Sequence, residues 1–456
     1  MSSSFFTELI TTISDRGRSL LPRQWIAGNG GAPDLAALCL ALISGRGEAS
    51  GVAIAREILS RWDKLDGEGR KAFLLRLAED FGPDVNQLEA AIAAWRDHPG
   101  QAALANIHAA AEAKRQEVIR RLNQAPGGTR KLVQMREELF AHQDAHPVLN
   151  VLDKDFVHLF SSWFNRGFLV LRRIDWSSSA ALLEKIIRYE AVHAIGDWEE
   201  LRRRIEPEDR RLFAFFHPQM IDEPLIFVEV ALTRAIPEAI APVLAADRTL
   251  VRASEATTAV FYSISNCQEG LRGVSFGNFL IKQVVEDLRR ELPNLTTFVT
   301  LSPAPSFAGW LKKQRAGAPD HLSTSDQQTL ALLDDADWST DAEKTATLKP
   351  VIERAAAAYF IRAKTPRDRP IDPVARFHLG NGARLERLDM LGDRSPKGIK
   401  QSHGLMVNYL YDLKQIEANH EAYAEKGEVI ASREVRRHLR GESRPAEAQP
   451  ATAARQ

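Results

Sequence analysis

Apolar residues recur at helical spacing through the first third of the chain. Ile58, Leu59, Trp62 and Leu65 form one stripe, and Phe73, Leu74, Leu77 and Phe81 form the next. Asp84, in Gly82-Pro83-Asp84, can cap a further helix whose apolar positions are Leu88, Ile92 and Trp95. The stretch 102–122 is rich in Ala, Glu, Lys and Arg and has no Gly or Pro, so it predicts one strong helix. Pro126-Gly127-Gly128 ends it, and the helical pattern resumes through Met135, Leu139, Val157, Phe160 and Trp163. Several helices separated by short breaks predict a bundle.

Near Arg166 the texture changes. Apolar residues now fall in short runs rich in β-branched and aromatic side chains, at 212–216, 225–232, 259–264 and 297–301. Most are bounded by Pro, Asn, Ser or charge, which is a strand signature. Phe279, Leu280, Val284 and Leu288 place an amphipathic helix at 279–292, between the last two runs. Further helices are expected at 326–333 and 348–363. A strand pair, 375–379 and 383–388, is expected around Gly380-Asn381-Gly382, because Asn and Gly tolerate positive φ. Residues 440–456 are poor in apolar side chains and predict a disordered tail. The fold class is α+β. An all-helical bundle occupies 1–165, and a mixed α/β domain with a largely antiparallel central sheet occupies 166–439.

Composition narrows the choices. At 456 residues the chain is long enough for two or three domains. Sixty Lys and Arg balance sixty Asp and Glu, which leaves no electrostatic footprint for nucleic acid. An anionic ligand would therefore need a local positive site. Cys39 and Cys267 are too few for a disulfide framework or a structural zinc site, so a reducing cytoplasm is the default. Glu8 and Asp15 interrupt the N-terminal apolar stretch, against a secretory signal. The longest clean apolar run, 35–43, is too short to cross a bilayer. Ala454-Arg455-Gln456 carries no peroxisomal address.

The sharpest chemical feature is a strand, 258–265, a loop, 266–277, and a helix from Asn278. A loop that feeds a helix N-terminus offers free backbone N–H groups and the positive end of the helix dipole, a ready site for a pyrophosphate. Gly270, Gly273 and Gly277 allow close backbone approach, and Arg272 adds charge. By glycine count alone an ordinary β–α turn reads the same way. The loop resembles that of GNAT-type acetyltransferases, Gln/Arg-x-x-Gly-x-Gly/Ala, as Arg272-Gly273-Val274-Ser275-Phe276-Gly277. Ser275 departs from it where the first glycine is expected, and its hydroxyl could donate to a phosphate oxygen instead.

Six ordered blocks then resemble malonyl-CoA decarboxylase. They are Glu190-Ala-Val-His193 with Trp198, Phe261-Tyr-Ser-Ile-Ser265, Gly270 to Val274 with Gly277 to Lys282, Leu301-Ser-Pro303, Ala375 to Leu379 with Asn381-Gly-Ala383, and Gly404 to Tyr409. The resemblance spans about 167–413 and implies a helical domain joined to a GNAT-like catalytic domain. It implies malonyl-CoA as substrate, acetyl-CoA and CO2 as products, and a homo-oligomer, often a tetramer. Coenzyme A is then part of the substrate, with no separate cofactor or metal. Residues 272–278 (Arg272, Gly273, Val274, Ser275, Phe276, Gly277 and Asn278) would hold the pyrophosphate. Ser302 and His378 fall where the family's proposed catalytic pair lies. Loss of CO2 leaves a thioester enolate, which needs hydrogen-bond donors at oxygen and a proton at carbon. A His near neutral pH can do either, and a Ser hydroxyl can hold the carboxylate or hand on a proton.

Other features read as structural. His193 and His217 suit packing, and His321, His403, His420 and His438 show no metal-ligand spacing. Arg202-Arg203-Arg204 reads as a solvated helix end, and Arg210-Arg211 as a strand start. No Walker loop occurs. Two alternatives stay open, an acyltransferase that passes its acyl group to an amine and a non-catalytic acyl-CoA sensor. The loop assignment has a direct test. Gly277→Asp should weaken CoA-thioester binding strongly, and Arg272→Ala should raise KM more than it lowers kcat. Unchanged CoA affinity in both variants would place the ligand elsewhere.

Overall fold

The computed structural model describes residues 34–45, 47–274, 276, 280–317 and 322–441, together with residue 12. The tail expected at 440–456 lies, from 442 onward, outside the described residues. The chain divides into two compact units. One comprises residues 1–172 with 214–226 and 266–277, and the other 173–213, 227–265 and 278–456.

The first unit is helical, and among the described residues no strand precedes Val170. Its helices are α1 (Leu35–Ile43), α2 (Glu48–Lys64), α3 (Gly67–Asp80), α4 (Val85–Asp97), α5 (Gln101–Ala111), α6 (Lys114–Leu122), α7 (Gly128–Phe140) and α8 (Leu149–Trp163). Aspartate side chains start three of them. Asp34 accepts from the Ala37 N–H at 2.7 Å, Asp66 from Gly69 at 2.8 Å and Asp84 from Gln87 at 3.2 Å. Trp62 of α2 and Phe73 of α3 pack with tilted rings, their centroids 5.8 Å apart. Leu132, Leu139, Leu152, Phe156 and Phe160 complete the core.

Two expectations change here. The single helix over 102–122 is two helices, broken at Ala113, which is extended and buried. The Lys114 and Arg115 N–H groups donate to the carbonyls of Gly82 and Phe81 rather than to the preceding turn. Packing against that loop overrides a strong local propensity. The Leu88, Ile92 and Trp95 stripe is only partly covered, and neither α4 nor α5 contains a fully buried residue.

The second unit carries the sheet. Its strands are β1 (Val170–Ile174), β2 (Arg210–Phe216), β3 (Pro224–Thr233), β4 (Thr258–Asn266), β5 (Thr297–Thr300), β6 (Ser302–Pro303), β7 (Arg384–Asp389) and β8 (Met406–Leu410). Parts of β1, β2 and β3 and the last residue of β4 group with the first unit. The order is β1-β2-β3-β4-β5-β8-β6, with β7 also on β8. β4 and β5 are parallel, from Thr258 opposite Thr297 to Phe261 opposite Thr300. β5, β6 and β7 all run antiparallel to β8. The class is α+β, with a mixed and mostly antiparallel sheet.

The sheet's helices are α9 (Ala180–Tyr189), α10 (Trp198–Ile205), α11 (Ile240–Leu244), α12 (Leu280–Glu291), α13 (Phe307–Ala316), α14 (Thr324–Leu330), α15 (Ala342–Ile361), α16 (Pro373–Gly380), α17 (Pro396–Ser402), α18 (Ile416–Lys426) and α19 (Arg433–Arg437). Ala231, Val260, Tyr262, Val299, Leu301 and Met406 form a core over α11. The strand expected at 375–379 is instead α16. Asp372 accepts from the Ala375 N–H at 2.8 Å, and Pro373 opens the first turn, where its missing N–H costs nothing. The neighbouring strand is real, but β7 pairs with β8.

Asp155 anchors the helical core. It takes the buried Arg115 Nε–H at 2.5 Å and the Gln116 amide at 2.6 Å. Asp155→Ala should destabilise this unit by about 3–5 kcal/mol, because it strands a buried guanidinium, and Asp155→Asn should cost less. Denaturant unfolding followed by tryptophan fluorescence checks the order of the two variants.

Candidate active site

Ser302 sits where the chain leaves β5. The Leu301 N–H donates to the Phe261 carbonyl at 3.0 Å, and Ser302 pairs with Val407 of β8. His378 lies on the last turn of α16. Its carbonyl accepts from the N–H groups of Asn381 and Ala383, each at 3.1 Å, where the chain turns towards β7. These frames bring Ser302 Oγ to 3.1 Å from His378 Nε2. Ser302 also donates to Thr300 Oγ1 at 2.9 Å, and that atom accepts the Tyr409 N–H at 3.2 Å. On the far side of the imidazole, Nδ1 lies 2.8 Å from the Tyr411 hydroxyl. The Tyr409 ring stacks on the imidazole, with centroids 4.6 Å apart and planes 25° apart.

The pair is buried, with His378 only 3% exposed. Burial pushes the imidazole down to about 3, so it is neutral at pH 7. Burial likewise raises the Tyr411 phenol, which stays protonated. A neutral imidazole has one N–H. With the Ser302 hydrogen on Thr300, the consistent arrangement has Nε2–H donating to Ser302 and Tyr411 O–H donating to Nδ1. The result is an uncharged hydroxyl–imidazole–phenol chain along which a proton can pass.

The loop belongs to the helical unit. Arg136 donates to the carbonyls of Gly270 and Arg272 at 2.9 and 2.8 Å and holds Asp153 at 2.8 Å. Gly270 faces α7 so closely that a Cβ would collide with the Val133 carbonyl, so this glycine serves packing rather than phosphate approach. Gly273 has φ +80°, a conformation that suits glycine. Val274 is buried, and the half-buried Phe276 ring meets Phe164 edge-on at 6.5 Å. The exposed Arg272 guanidinium lies 4.2 Å over the Phe140 ring and pairs with Glu269 at 2.7 Å. Ser275, Gly277, Asn278 and His321 lie outside the described residues.

Other singled-out residues are tied into packing. Glu190 accepts from Ser263 through both oxygens at 2.8 Å and from the His193 N–H at 2.8 Å. The His217 ring lies 4.9 Å from Phe164. The basic run is not uniformly solvated. Arg204 is buried and pairs with Glu229 at 3.2 Å and Glu200 at 2.5 Å, because it lies on the covered face of α10. Thr300, Tyr409 and Tyr411 escape the sequence reading. A signal existed for the tyrosines, since residues two apart on a strand share a face.

The chain is an α+β protein with a buried serine–imidazole pair beside a mixed sheet. Residues 167–449 match the family model described as the malonyl-CoA decarboxylase C-terminal domain, and 81–164 match that of its N-terminal domain. The chain is 34% identical over 413 residues to "Malonyl-CoA decarboxylase, mitochondrial" of Anser anser anser, covering 83% of this chain and 82% of that protein. It is 59% identical to the malonyl-CoA decarboxylase crystal structure from Rhodopseudomonas palustris, with a TM-score of 0.86 over 88% of this chain and 98% of that one. The Agrobacterium vitis structure of the same name gives 58% identity and a TM-score of 0.85, over 89% of this chain and all of that one. The chain belongs to the malonyl-CoA decarboxylase family.

Buried histidines set an acid limit on stability. Burial drives His378 from 6.5 to about 3, and His193 and His403 from 6.5 to about 4. Between those values the unfolded chain binds more protons than the folded one, so stability rises with pH across the window and is fully present above 6.5. Glu229 and Asp389, raised by burial to about 7, act in the opposite direction over the same window, so the histidine contribution is read as a difference: on going from pH 7 to pH 5, His378→Asn should lose less melting temperature, or gain more, than the unsubstituted protein. An unchanged slope in the variant would contradict the buried, neutral assignment.

Proposed function

We propose that the chain converts malonyl-CoA to acetyl-CoA and CO2 at Ser302 and His378. It is a carboxy-lyase. The single observation that carries the assignment to these residues is the 3.1 Å contact between Ser302 and His378, between two blocks 76 positions apart. The C–C pair of the breaking bond flows into the thioester carbonyl, which yields CO2 and an enolate. The thioester itself delocalises that charge, so the reading draws on no metal and no cofactor. The enolate carbon is a stronger base than an alkoxide, so it takes the Ser302 proton. Nε2–H of His378 then refills the serine, Tyr411 O–H refills Nδ1, and one proton taken from outside the pocket restores the phenol. One proton is consumed per CO2 released.

The loop 272–278 is assigned to the pyrophosphate through its backbone N–H groups and Arg272. The helical unit is assigned a structural role in a homo-oligomer, a tetramer by family resemblance, in the cytoplasm. Zero net charge supports an absence of nucleic-acid partners. Among the described residues no helix is long and apolar enough to cross a membrane. An acyltransferase would need an acceptor, whereas this reaction needs none.

Purified protein with malonyl-CoA alone should release acetyl-CoA and CO2. Ser302→Ala and His378→Asn should each lower kcat by about two to four decades with CoA-thioester binding largely intact. Asn keeps a donor but cannot relay a proton, so Asn and Ala at 378 should be about equally poor. The double variant should be little worse than the worse single one. Near wild-type turnover in both single variants would remove these residues from the reaction.

A further inference from the structure

A 3.1 Å contact between side chains on two separate elements holds only if something fixes the elements to each other. Backbone pairing with β8 fixes Ser302. His378 rides on a helix of eight residues, Pro373–Gly380, whose start is set by one carboxylate. Asp372 is fully buried and divides its oxygens, one to the Ala375 N–H at 2.8 Å and the other to the Tyr359 hydroxyl at 2.9 Å. Tyr359, on α15, is also fully buried. Its ring packs edge-on to Phe307 at 5.4 Å and against Trp310 at 5.1 Å. Both belong to α13, which begins four residues after Pro303. The Ser306 hydroxyl lies beside the same phenol oxygen.

We propose that Tyr359 is a positioning residue for the Ser302–His378 pair. Its ring rests on the helix that follows Ser302, and its hydroxyl holds the carboxylate that starts the helix bearing His378. One side chain thus spans both arms of the site without touching the reacting atoms. A ring alone would keep the packing, whereas the hydroxyl sets the rotation and start of α16. Displacement of a reacting group by about 1 Å costs on the order of 100-fold in rate. The inference rests on the assignment of Ser302 and His378 to the reaction.

Tyr359→Phe removes one oxygen and keeps the ring. It should lower kcat by about 10- to 100-fold while KM for malonyl-CoA stays within about twofold. Asp372→Asn keeps an oxygen for the Ala375 N–H but turns an amide donor towards the phenol O–H, so it should lower the rate as Tyr359→Phe does. Asp372→Ala should lose it. Tyr359→Phe placed on His378→Asn should cost little more, because the residue to be positioned is already disabled. Melting temperatures of all variants establish that they fold. Wild-type kcat in Tyr359→Phe, or an equal loss in the His378→Asn background, overturns the inference. The reading beneath it fails separately, through full activity in Ser302→Ala.

Discussion

An imidazole shut away from water stays useful only if both of its nitrogens have partners. Ser302 and Tyr411 are those partners, at 3.1 and 2.8 Å, and Tyr409 closes the ring face. Burial keeps the ring neutral, and under the proposed assignment the chain of groups passes protons through a neutral imidazole. That suits a reaction whose intermediate is an anion generated at a thioester. A charged imidazolium in the same pocket would cost several kcal/mol of desolvation.

The sheet supplies this arrangement through one strand. β8 pairs with β5, β6 and β7 and carries Tyr409, with Tyr411 just beyond its end. The Asn408 amide donates to the Thr300 carbonyl at 2.8 Å, and the Tyr409 N–H to the Thr300 hydroxyl. The strand therefore orders the serine's neighbour by backbone and side chain at once. α16 comes to the same place by a different route, through the Asp372 cap and the Tyr359 phenol. The helical unit has its own anchor of the same kind, a buried Arg136 that collects Asp153 and two loop carbonyls.

Much of this was legible in the chain. The helical spacing of 58–81 and the β-branched runs at 212–216, 225–232 and 259–264 report local burial, and local burial is what sequence periodicity encodes. Ser302 and His378 were legible only as members of ordered blocks, since an isolated Ser before Pro or an isolated His has many structural uses. The helix under His378 is hidden in the sequence because Gly380-Asn381-Gly382 is a stronger turn signal than Asp372-Pro373 is a helix signal. The break at Ala113 and the burial of Arg204 depend on what packs against them, Phe81 and Gly82 in one case and Glu229 in the other. Tyr411 sat one strand period beyond the last recognisable block, and only the observed contact assigns it.

A single turnover in D2O, with protein in excess over malonyl-CoA and no acceptor present, tests the account most directly. Mass spectrometry of the thioester and quantification of CO2 give both halves of the reaction. The expected result is one equivalent of CO2 and acetyl-CoA with a single deuterium in its methyl group. Recovery of intact malonyl-CoA, or transfer of the malonyl group onto the protein without CO2 release, would contradict it.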